Sequence, residues 1–265
     1  MRLIRFEDWA KPIAPARREV LSATPEVDEG KPPVLFVPGF GHGAWAFAEF
    51  WLEHTAGRGF PAHAVSPRGH GGSADGSGAS LRAYAHDVVQ AAASLPRQAV
   101  LVGQGAGALV VERALARYPA RAAVLLAPVL GGWATFGAAL RGNPGGTLPA
   151  IFGGRLRLSR RQLFSRGVPD AVARGYTERL GRASARAQWQ LLLHRAPEPP
   201  VGDPPVLVMG SPDDRVVPAS ALTRAARRYG GAPLLFPGMG HDMMLDTRWQ
   251  EPIDAILDWL EKGGS

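Results

Sequence analysis

Two acids and a histidine lie near the C-terminal end of the chain, in loops that each follow a short apolar run. Asp213 and Asp214 come after residues 206–209, and His241 stands in a glycine-flanked turn after residues 232–236. A carboxylate that holds one ring nitrogen of a histidine leaves the other nitrogen free to act as a general base. These residue types therefore predict proton-transfer chemistry, with His241 as the base.

Only one acid is needed to hold the imidazole. We assign this role to Asp214, which stands directly before the sequence Arg215-Val-Val-Pro218. Asp213 and Asp242 are predicted to cap and orient their own turns, as aspartates in loops commonly do.

A glycine-rich loop, Gly103-Gln-Gly-Ala-Gly107, stands between a predicted strand at residues 99–102 and a predicted helix at residues 106–118. In the strand-turn-helix called a nucleophile elbow, the pattern Gly-x-Ser-x-Gly places a serine at the tip of the turn. The loop fits this pattern except at the tip, where Gly105 stands. The chain order of elbow, acid and histidine is the order that accompanies such an elbow.

Two other interpretations of the glycine loop stay open. Its glycines also fit the dinucleotide fingerprint Gly-x-Gly-x-x-Gly/Ala, which would make NAD(H) the ligand. That site needs an acidic residue about 20 positions further on, at the end of the next strand. Here that strand ends in Ala127-Pro128, and no acid follows until Asp170. The loop could also be a packing turn without chemistry, but the acid and histidine that follow favour the elbow.

Apolar runs and helical patterns alternate along the chain and predict the scaffold that positions these loops. Short continuous apolar runs are typical of parallel strands covered on both faces. The predicted strands are residues 18–24 (an edge strand), 33–37, 62–66, 99–102, 123–126, 206–209 and 232–236; the main predicted helices are 81–95 (capped by Ser80), 106–118, 219–229 and 251–261. This order predicts an α/β fold with a mostly parallel, doubly wound sheet and a ligand site at the carboxyl ends of its strands.

The alternation breaks between residues 129 and 200. This stretch is rich in Gly, Pro and Arg, has helical patterns near residues 160–164, 170–180 and 183–195, and contains no convincing strand. We predict that residues 129–200 form an inserted helical cap, or lid. The core would then comprise residues 1–128 and 201–262, with a disordered tail at residues 263–265.

Composition limits the class of protein. A chain of 265 residues, 46% hydrophobic and 20% charged, suits one soluble α/β domain with an insertion. The absence of cysteine excludes disulfides, thiolate metal sites and a cysteine nucleophile. The charged start of the chain, Met1–Trp9, and the lack of a long apolar run predict a cytoplasmic protein without a signal peptide or membrane span.

The net charge of +7 comes almost entirely from arginine. Residues 140–195 hold eleven arginines against only Asp170 and Glu178. A basic lid could attract an anionic substrate, but we favour a solvated, arginine-biased surface. Nucleic acid is not an expected partner, because no recognised binding motif accompanies the charge.

Several motifs together resemble the α/β-hydrolase superfamily over nearly the whole chain. Pro38-Gly-Phe-Gly-His-Gly43 is similar to the family's His-Gly-x loop, although Pro38 stands where the family usually has His. Ser66-Pro-Arg-Gly-His-Gly-Gly-Ser73 resembles its Asp-x-Arg-Gly-His-Gly-x-Ser turn. Gly240-His-Asp-Met-Met-Leu-Asp246 is similar to the catalytic-histidine loop of bacterial esterase-like members with a lid. The resemblance implies the α/β-hydrolase fold with a helical cap.

The resemblance also implies roles for individual residues. Gly105 falls on the nucleophile position, Asp214 on the acid and His241 on the base, while the backbone amides of Phe40 and Ala106 would form the oxyanion hole. The candidate substrate-binding residues are Gly39, Gln104 and Met239. No metal or organic cofactor is implied.

The implied activity is hydrolysis of a small to medium acyl ester, thioester or lactone, yet Gly105 offers no nucleophile. Removing the nucleophile from such a triad typically costs on the order of 10⁶ in kcat. The chain is therefore expected to be either a disabled serine esterase or an enzyme that uses the His241–Asp214 dyad without covalent catalysis. The alternative is a non-catalytic protein that binds a small molecule on the same fold. The sequence leaves the oligomeric state open.

Overall fold

A computed structural model describes residues 10–130, 137, 140–141, 143–151, 157–193 and 198–263. The N-terminal residues 1–9, on which the signal-peptide prediction depends, lie outside the described residues. So do residues 264–265 of the predicted tail and residues 131–136, 138–139, 142, 152–156 and 194–197 of the predicted cap.

Within the described residues, seven strands form one sheet in the order β1-β3-β2-β4-β5-β6-β7. They are β1 (Glu19–Ala23), β2 (Val34–Val37), β3 (Ala62–Ser66), β4 (Val100–Gln104), β5 (Ala122–Leu126), β6 (Val206–Gly210) and β7 (Leu234–Leu235). Strand β1 pairs antiparallel with β3 at one edge, and the other neighbouring strands run parallel. The predicted α/β fold with a mostly parallel sheet is confirmed.

Helices connect the strands and cover the sheet. They are α1 (Trp45–Ala48), α2 (Trp51–Gly57), α3 (Leu81–Ala93), α4 (Ala106–Leu115), α5 (Pro144–Ile151), α6 (Arg160–Leu163), α7 (Asp170–Glu178), α8 (Ala185–Leu192), α9 (Ala219–Arg228) and α10 (Gln250–Glu261), with a 3₁₀ turn at Met243–Leu245. Ser80 caps α3 as predicted, because its side chain accepts a hydrogen bond from Ala83 N at 3.2 Å.

The central strands separate two apolar layers, because successive side chains of a strand point to opposite faces. On β2, Phe36 packs into a layer with Trp51 of α2 and Ile253 of α10. Its neighbour Leu35 packs into the opposite layer, with residues of α3, α4 and α9 such as Leu109. Strands covered on both faces explain why the sequence shows continuous apolar runs rather than alternation.

Two elements differ from the sequence prediction. Strand β7, which lies at the sheet edge and pairs with β6, has only two residues instead of the five expected. Helix α5 was not predicted, although Asn143-Pro144 is a recognisable helix start. The Asn143 side chain accepts a hydrogen bond from Gly146 N at 3.0 Å, as an N-cap residue does.

Helices α5 to α8 lie between β5 and β6 in the chain, and we call the described residues 143–151 and 157–193 the inserted segment. No helix in the described part of the chain is both long and apolar enough to cross a membrane.

Candidate active site

The glycine loop is a tight strand-to-helix turn at the carboxyl end of β4. A Cβ at Gly103 would lie 2.6 Å from the backbone oxygen of Gly107, and a Cβ at Gly107 would lie 2.5 Å from that of Pro38. Such approaches leave no room for a side chain, so both flanking glycines are needed for close packing of strand and helix. The dinucleotide fingerprint requires similar packing, which is why sequence alone left both interpretations open.

Gly105 lies at the tip of this turn with φ +57° and ψ −124°. Side chains rarely adopt this backbone conformation, whereas glycine adopts it freely. Hydrogen bonds to the end of β5 fix the turn, since Gly105 N donates to Leu126 O and Gly105 O accepts from Val129 N, both at 2.9 Å. The elbow geometry is therefore present without a nucleophilic side chain.

The structure brings Asp214 and His241 together beneath this turn. His241 Nδ1 lies 2.8 Å from Asp214 Oδ2, although 27 residues separate them in the chain. The other carboxylate oxygen of Asp214 accepts hydrogen bonds from the backbone amides of Val216 at 2.7 Å and Val217 at 3.0 Å. Because these bonds fix the carboxylate, His241 is held with Nδ1–H donating to Asp214 and Nε2 as the acceptor.

The free ring nitrogen of His241 faces residue 105. A Cβ built on Gly105 would lie 3.0 Å from His241 Nε2 and 3.7 Å from His241 Cε1. The imidazole is thus directed at the place where a side chain at the tip of the elbow would begin. Its exposed fraction is only 4%, so the base lies in a nearly dry site.

Charges around His241 favour its protonated form. Burial lowers the pKa of His241, but the charge of Asp214, the hydrogen bond to it and the charge of Asp242 together raise it by more. The net pKa lies above the ordinary histidine value of 6.5. A raised pKa strengthens His241 as a base once it has lost its proton.

Two backbone amides stand beside the same turn. Phe40 N and Ala106 N donate no hydrogen bond to any residue that the structure describes. The two loops that carry them adjoin, since a Cβ built on Gly39 would lie 3.7 Å from Ala106 N. Ala106 is the first residue of α4, where backbone N–H groups lack helical partners and attract negative charge.

Gln104, the residue before the tip, ties the surrounding loops together. Its Oε1 accepts a hydrogen bond from Gly39 N at 3.1 Å. Its Nε2 donates to Asp242 Oδ1 at 3.2 Å and to the backbone oxygen of His241 at 3.4 Å. With its side chain fully buried and both ends engaged, Gln104 holds the loop of Gly39 and the loop of His241 in place.

The two other candidate substrate-binding residues, Met239 and Gly39, also have contacts within the protein. Met239 is 1% exposed and packs within an apolar core layer. Gly39 gives its N–H to Gln104, and a Cβ there would lie 2.7 Å from Gln104 Oε1. At Gly39 two loops therefore approach each other closely.

Two other acids of these loops, Asp213 and Asp242, behave differently from each other. Asp213 Oδ2 accepts a hydrogen bond from Gly238 N at 2.7 Å, which orients the turn before the histidine loop. Asp242 is fully buried, and its Oδ2 lies 2.9 Å from His42 Nε2. Sequence reasoning missed this second histidine–carboxylate pair, since 200 residues separate its members. One indication of this pair was present in the sequence: His42 and Asp242 both lie in loops that were predicted to form the site.

An aromatic cluster of Phe40, His70 and Tyr84 packs against the loop that contains Phe40. The Phe40 ring lies 5.8 Å from the Tyr84 ring in an edge-to-face arrangement, and the His70 ring lies 5.2 Å from Tyr84. Burial lowers the pKa of His70, so its ring stays neutral inside this cluster. The turn that contains His70 is fixed by Arg68, whose guanidinium donates two hydrogen bonds to Asp87, at 2.7 and 2.9 Å.

The inserted segment is docked onto these loops by specific contacts. Gly181 N donates to Gly41 O at 2.6 Å, and Asp242 N donates to Leu163 O at 2.9 Å. Arg179 lies over the Trp45 ring at 4.1 Å and bonds to Glu49 at 3.1 Å. At least this arginine contributes to docking and is not simply part of a solvated basic surface.

No group of three or more His, Asp or Glu side chains within the described ranges is arranged to hold a metal ion. The groups that the structure brings together at this site are a base, an acid that orients it and two amide donors. These are the groups that acyl transfer requires, apart from the nucleophile.

Comparison with known proteins identifies the family. The sequence profile described as "Alpha/beta hydrolase family" matches residues 34–258, so the chain belongs to the α/β-hydrolase family. A comparison of the sequence with curated proteins finds no match.

Solved structures of lipases and esterases share the fold. A monoacylglycerol lipase from Paleococcus ferrophilus has 20% identity and a TM-score of 0.69, over 94% of this chain and 100% of that one. A soluble variant of monoglyceride lipase from Saccharomyces cerevisiae has 14% identity and a TM-score of 0.74, over 96% and 94%. The esterase RhEst1 from Rhodococcus sp. ECU1013 has 21% identity and a TM-score of 0.71, over 93% and 95%. At these identities the likeness shows the fold alone.

Proposed function

We propose that this protein hydrolyses small carboxylic esters by activating water directly with the His241–Asp214 dyad. One observation carries the proposal: His241 Nε2 faces the tip of the elbow, 3.0 Å from where a Cβ at residue 105 would lie, while Asp214 holds Nδ1 at 2.8 Å. A binding protein would have no need for a base held in this orientation. The lipases and esterases of similar fold support an ester as the substrate class.

The proposed reaction needs no covalent intermediate. The substrate carbonyl oxygen accepts hydrogen bonds from the amides of Phe40 and Ala106, which stabilise the charge that develops there. His241 Nε2 removes a proton from water as the water oxygen bonds to the carbonyl carbon. The tetrahedral intermediate then collapses, and protonated His241 returns the proton to the departing alkoxide. One ester and one water yield one acid and one alcohol.

Asp214 has a defined part in this reaction. By accepting Nδ1–H, it leaves Nε2 as the acceptor and stabilises the imidazolium that forms after proton transfer. The inserted segment, which we propose acts as a lid, would limit access of bulk water to the site.

Steady-state hydrolysis of p-nitrophenyl butyrate tests the proposal. A positioned general base typically contributes about 10²–10⁴ in rate, so His241→Ala should lower kcat at least about 100-fold relative to the unmodified chain. The matched control is His63→Ala on β3, whose ring bonds to Ser22 at 2.7 Å, outside the candidate active site. This variant should keep the full rate.

The time course separates this mechanism from covalent catalysis. Product should form linearly from the first turnover, without a burst, because no acyl-enzyme accumulates. Equal rates for the unmodified chain and His241→Ala would refute the proposal and favour a protein that only binds its ligand.

A further inference from the structure

We infer that Asp242 is a positioning residue of this site: its buried carboxylate anchors the turn that carries the Phe40 amide and stabilises protonated His241. This inference rests on the proposed function, because it gives a part in that reaction to a group that the reaction does not otherwise use. It starts from an acid that is fully buried and directly follows the base in the chain.

The turn that carries Phe40 is held at both of its ends. It runs from Gly39 to His42, and His42 N donates to Gly39 O at 3.1 Å. Gln104 holds the first residue, since its Oε1 accepts from Gly39 N at 3.1 Å. Asp242 holds the last one, since its Oδ2 accepts from His42 Nε2 at 2.9 Å. Movement of either anchor would therefore displace the Phe40 amide.

The two anchors are joined to each other and to the loop of the base. Gln104 Nε2 donates to Asp242 Oδ1 at 3.2 Å and to His241 O at 3.4 Å. The backbone amide of Asp242 donates to Leu163 O of the inserted segment at 2.9 Å. Asp242 thus connects the turn, the loop of the base and the inserted segment.

The charge of Asp242 has a second effect. In the described part of the chain no arginine or lysine forms an ion pair with Asp242, whose side chain bonds to His42 and Gln104. A buried carboxylate is costly unless a positive charge compensates it. His241 becomes positive when it removes a proton from water. Burial lowers the pKa of His241, and the charges of Asp214, in the loop after β6, and of Asp242, in its own loop, raise it.

NMR titration of the full-length chain with ring-labelled histidine tests this charge effect without turnover. The signal of His241 is identified by its loss in His241→Ala. Asp242→Asn keeps the size of the side chain and an oxygen for His42 but removes the charge. The proton affinity of His241 should then fall about three- to tenfold, seen as a lower titration midpoint.

Two matched variants separate the charge from the hydrogen bond. Gln104→Leu removes the bond between residues 104 and 242 and keeps the carboxylate. Asp246→Asn removes another buried acid of the same loop, one that bonds to Ser165. Both should keep the titration midpoint of the unmodified chain. If Asp242→Asn does not fold, Asp242→Ser removes the charge and still offers a hydroxyl oxygen to His42.

Steady-state ester hydrolysis tests the anchoring of the turn. His42→Gln keeps a donor for Asp242, whereas His42→Leu does not. The kcat of His42→Gln should exceed that of His42→Leu about three- to tenfold at similar KM, the effect of one hydrogen bond. The difference should disappear when Asp242→Ala is added to both variants.

Three outcomes would overturn the inference. The titration of His241 is the same in Asp242→Asn and the unmodified chain, Gln104→Leu lowers the midpoint as much as Asp242→Asn does, or the difference between the His42 variants persists without Asp242. If the unmodified chain does not hydrolyse esters, the proposed function is refuted, while the titration still decides whether Asp242 stabilises protonated His241.

Discussion

Replacing Gly105 by Ala and by Ser separates the cost of the elbow conformation from the gain of a hydrogen bond to His241. At φ +57° a residue with a side chain costs about 1–3 kcal/mol. In both variants Cβ lies 3.0 Å from His241 Nε2, so the imidazole must move by a few tenths of an ångström in both. Only serine brings a hydroxyl that can donate to Nε2, a hydrogen bond worth about 0.5–1.5 kcal/mol. Both variants should be less stable than the unmodified chain, with Gly105→Ser more stable than Gly105→Ala by about 1 kcal/mol.

Urea denaturation with an unchanged m value measures this difference in the free energy of unfolding. The control repeats both substitutions in a His241→Ala background, where the difference between serine and alanine should disappear. If serine is no more stable than alanine, or if the difference persists without the imidazole, His241 does not face residue 105 and the site geometry is wrong.

Three further predictions address pH and buried polar groups. In a pH–rate profile, the rate of ester hydrolysis should fall as pH drops through the raised pKa of His241, with a midpoint above the ordinary value of 6.5. In Asp214→Asn this midpoint should move to lower pH, because the charge that raises the pKa is lost. Burial raises the pKa of Glu112 in the folded protein. The protonated side chain therefore contributes its full stabilisation below the pKa of the unfolded state, and this stabilisation is lost as pH rises through the pKa of the folded state. Glu112→Gln can keep the hydrogen bond from Tyr229 and should add on the order of 1 kcal/mol at pH 8, measured by thermal unfolding at several pH values. Gln104→Leu leaves Gly39 N and Asp242 Oδ1 without their hydrogen-bond partner and should cost about 1–3 kcal/mol in chemical denaturation.

The sequence allowed prediction of those parts of the fold that follow from local patterns. Buried parallel strands such as β2 and β4 read as continuous apolar runs, and Ser80 lies directly before the helix that it caps. Because the carboxyl ends of parallel strands meet at one edge of the sheet, the loops with Asp214 and His241 could be expected to meet there. Their order along the chain was enough to suggest a dyad.

Contacts between distant segments could not be predicted in the same way. No local sequence pattern pairs His42 with Asp242, and none shows that the side-chain amide of Gln104 bridges two loops. Met239 stands beside the histidine loop in sequence, yet its flexible apolar side chain fills the core. Such outcomes depend on how the loops pack against one another, which becomes visible only in three dimensions.

Covalent labelling of Gly105→Ser with a fluorophosphonate tests most directly whether the base, its acid and the two amides converge on residue 105. A phosphonylated serine needs a base to remove its proton and amides to bind the phosphoryl oxygen. We predict a single adduct at residue 105 by peptide mass spectrometry, formed at least about 100-fold more slowly when His241→Ala is added and missing at that position in the unmodified chain. A folded Gly105→Ser protein that forms no adduct, or labels equally fast without His241, would contradict the account.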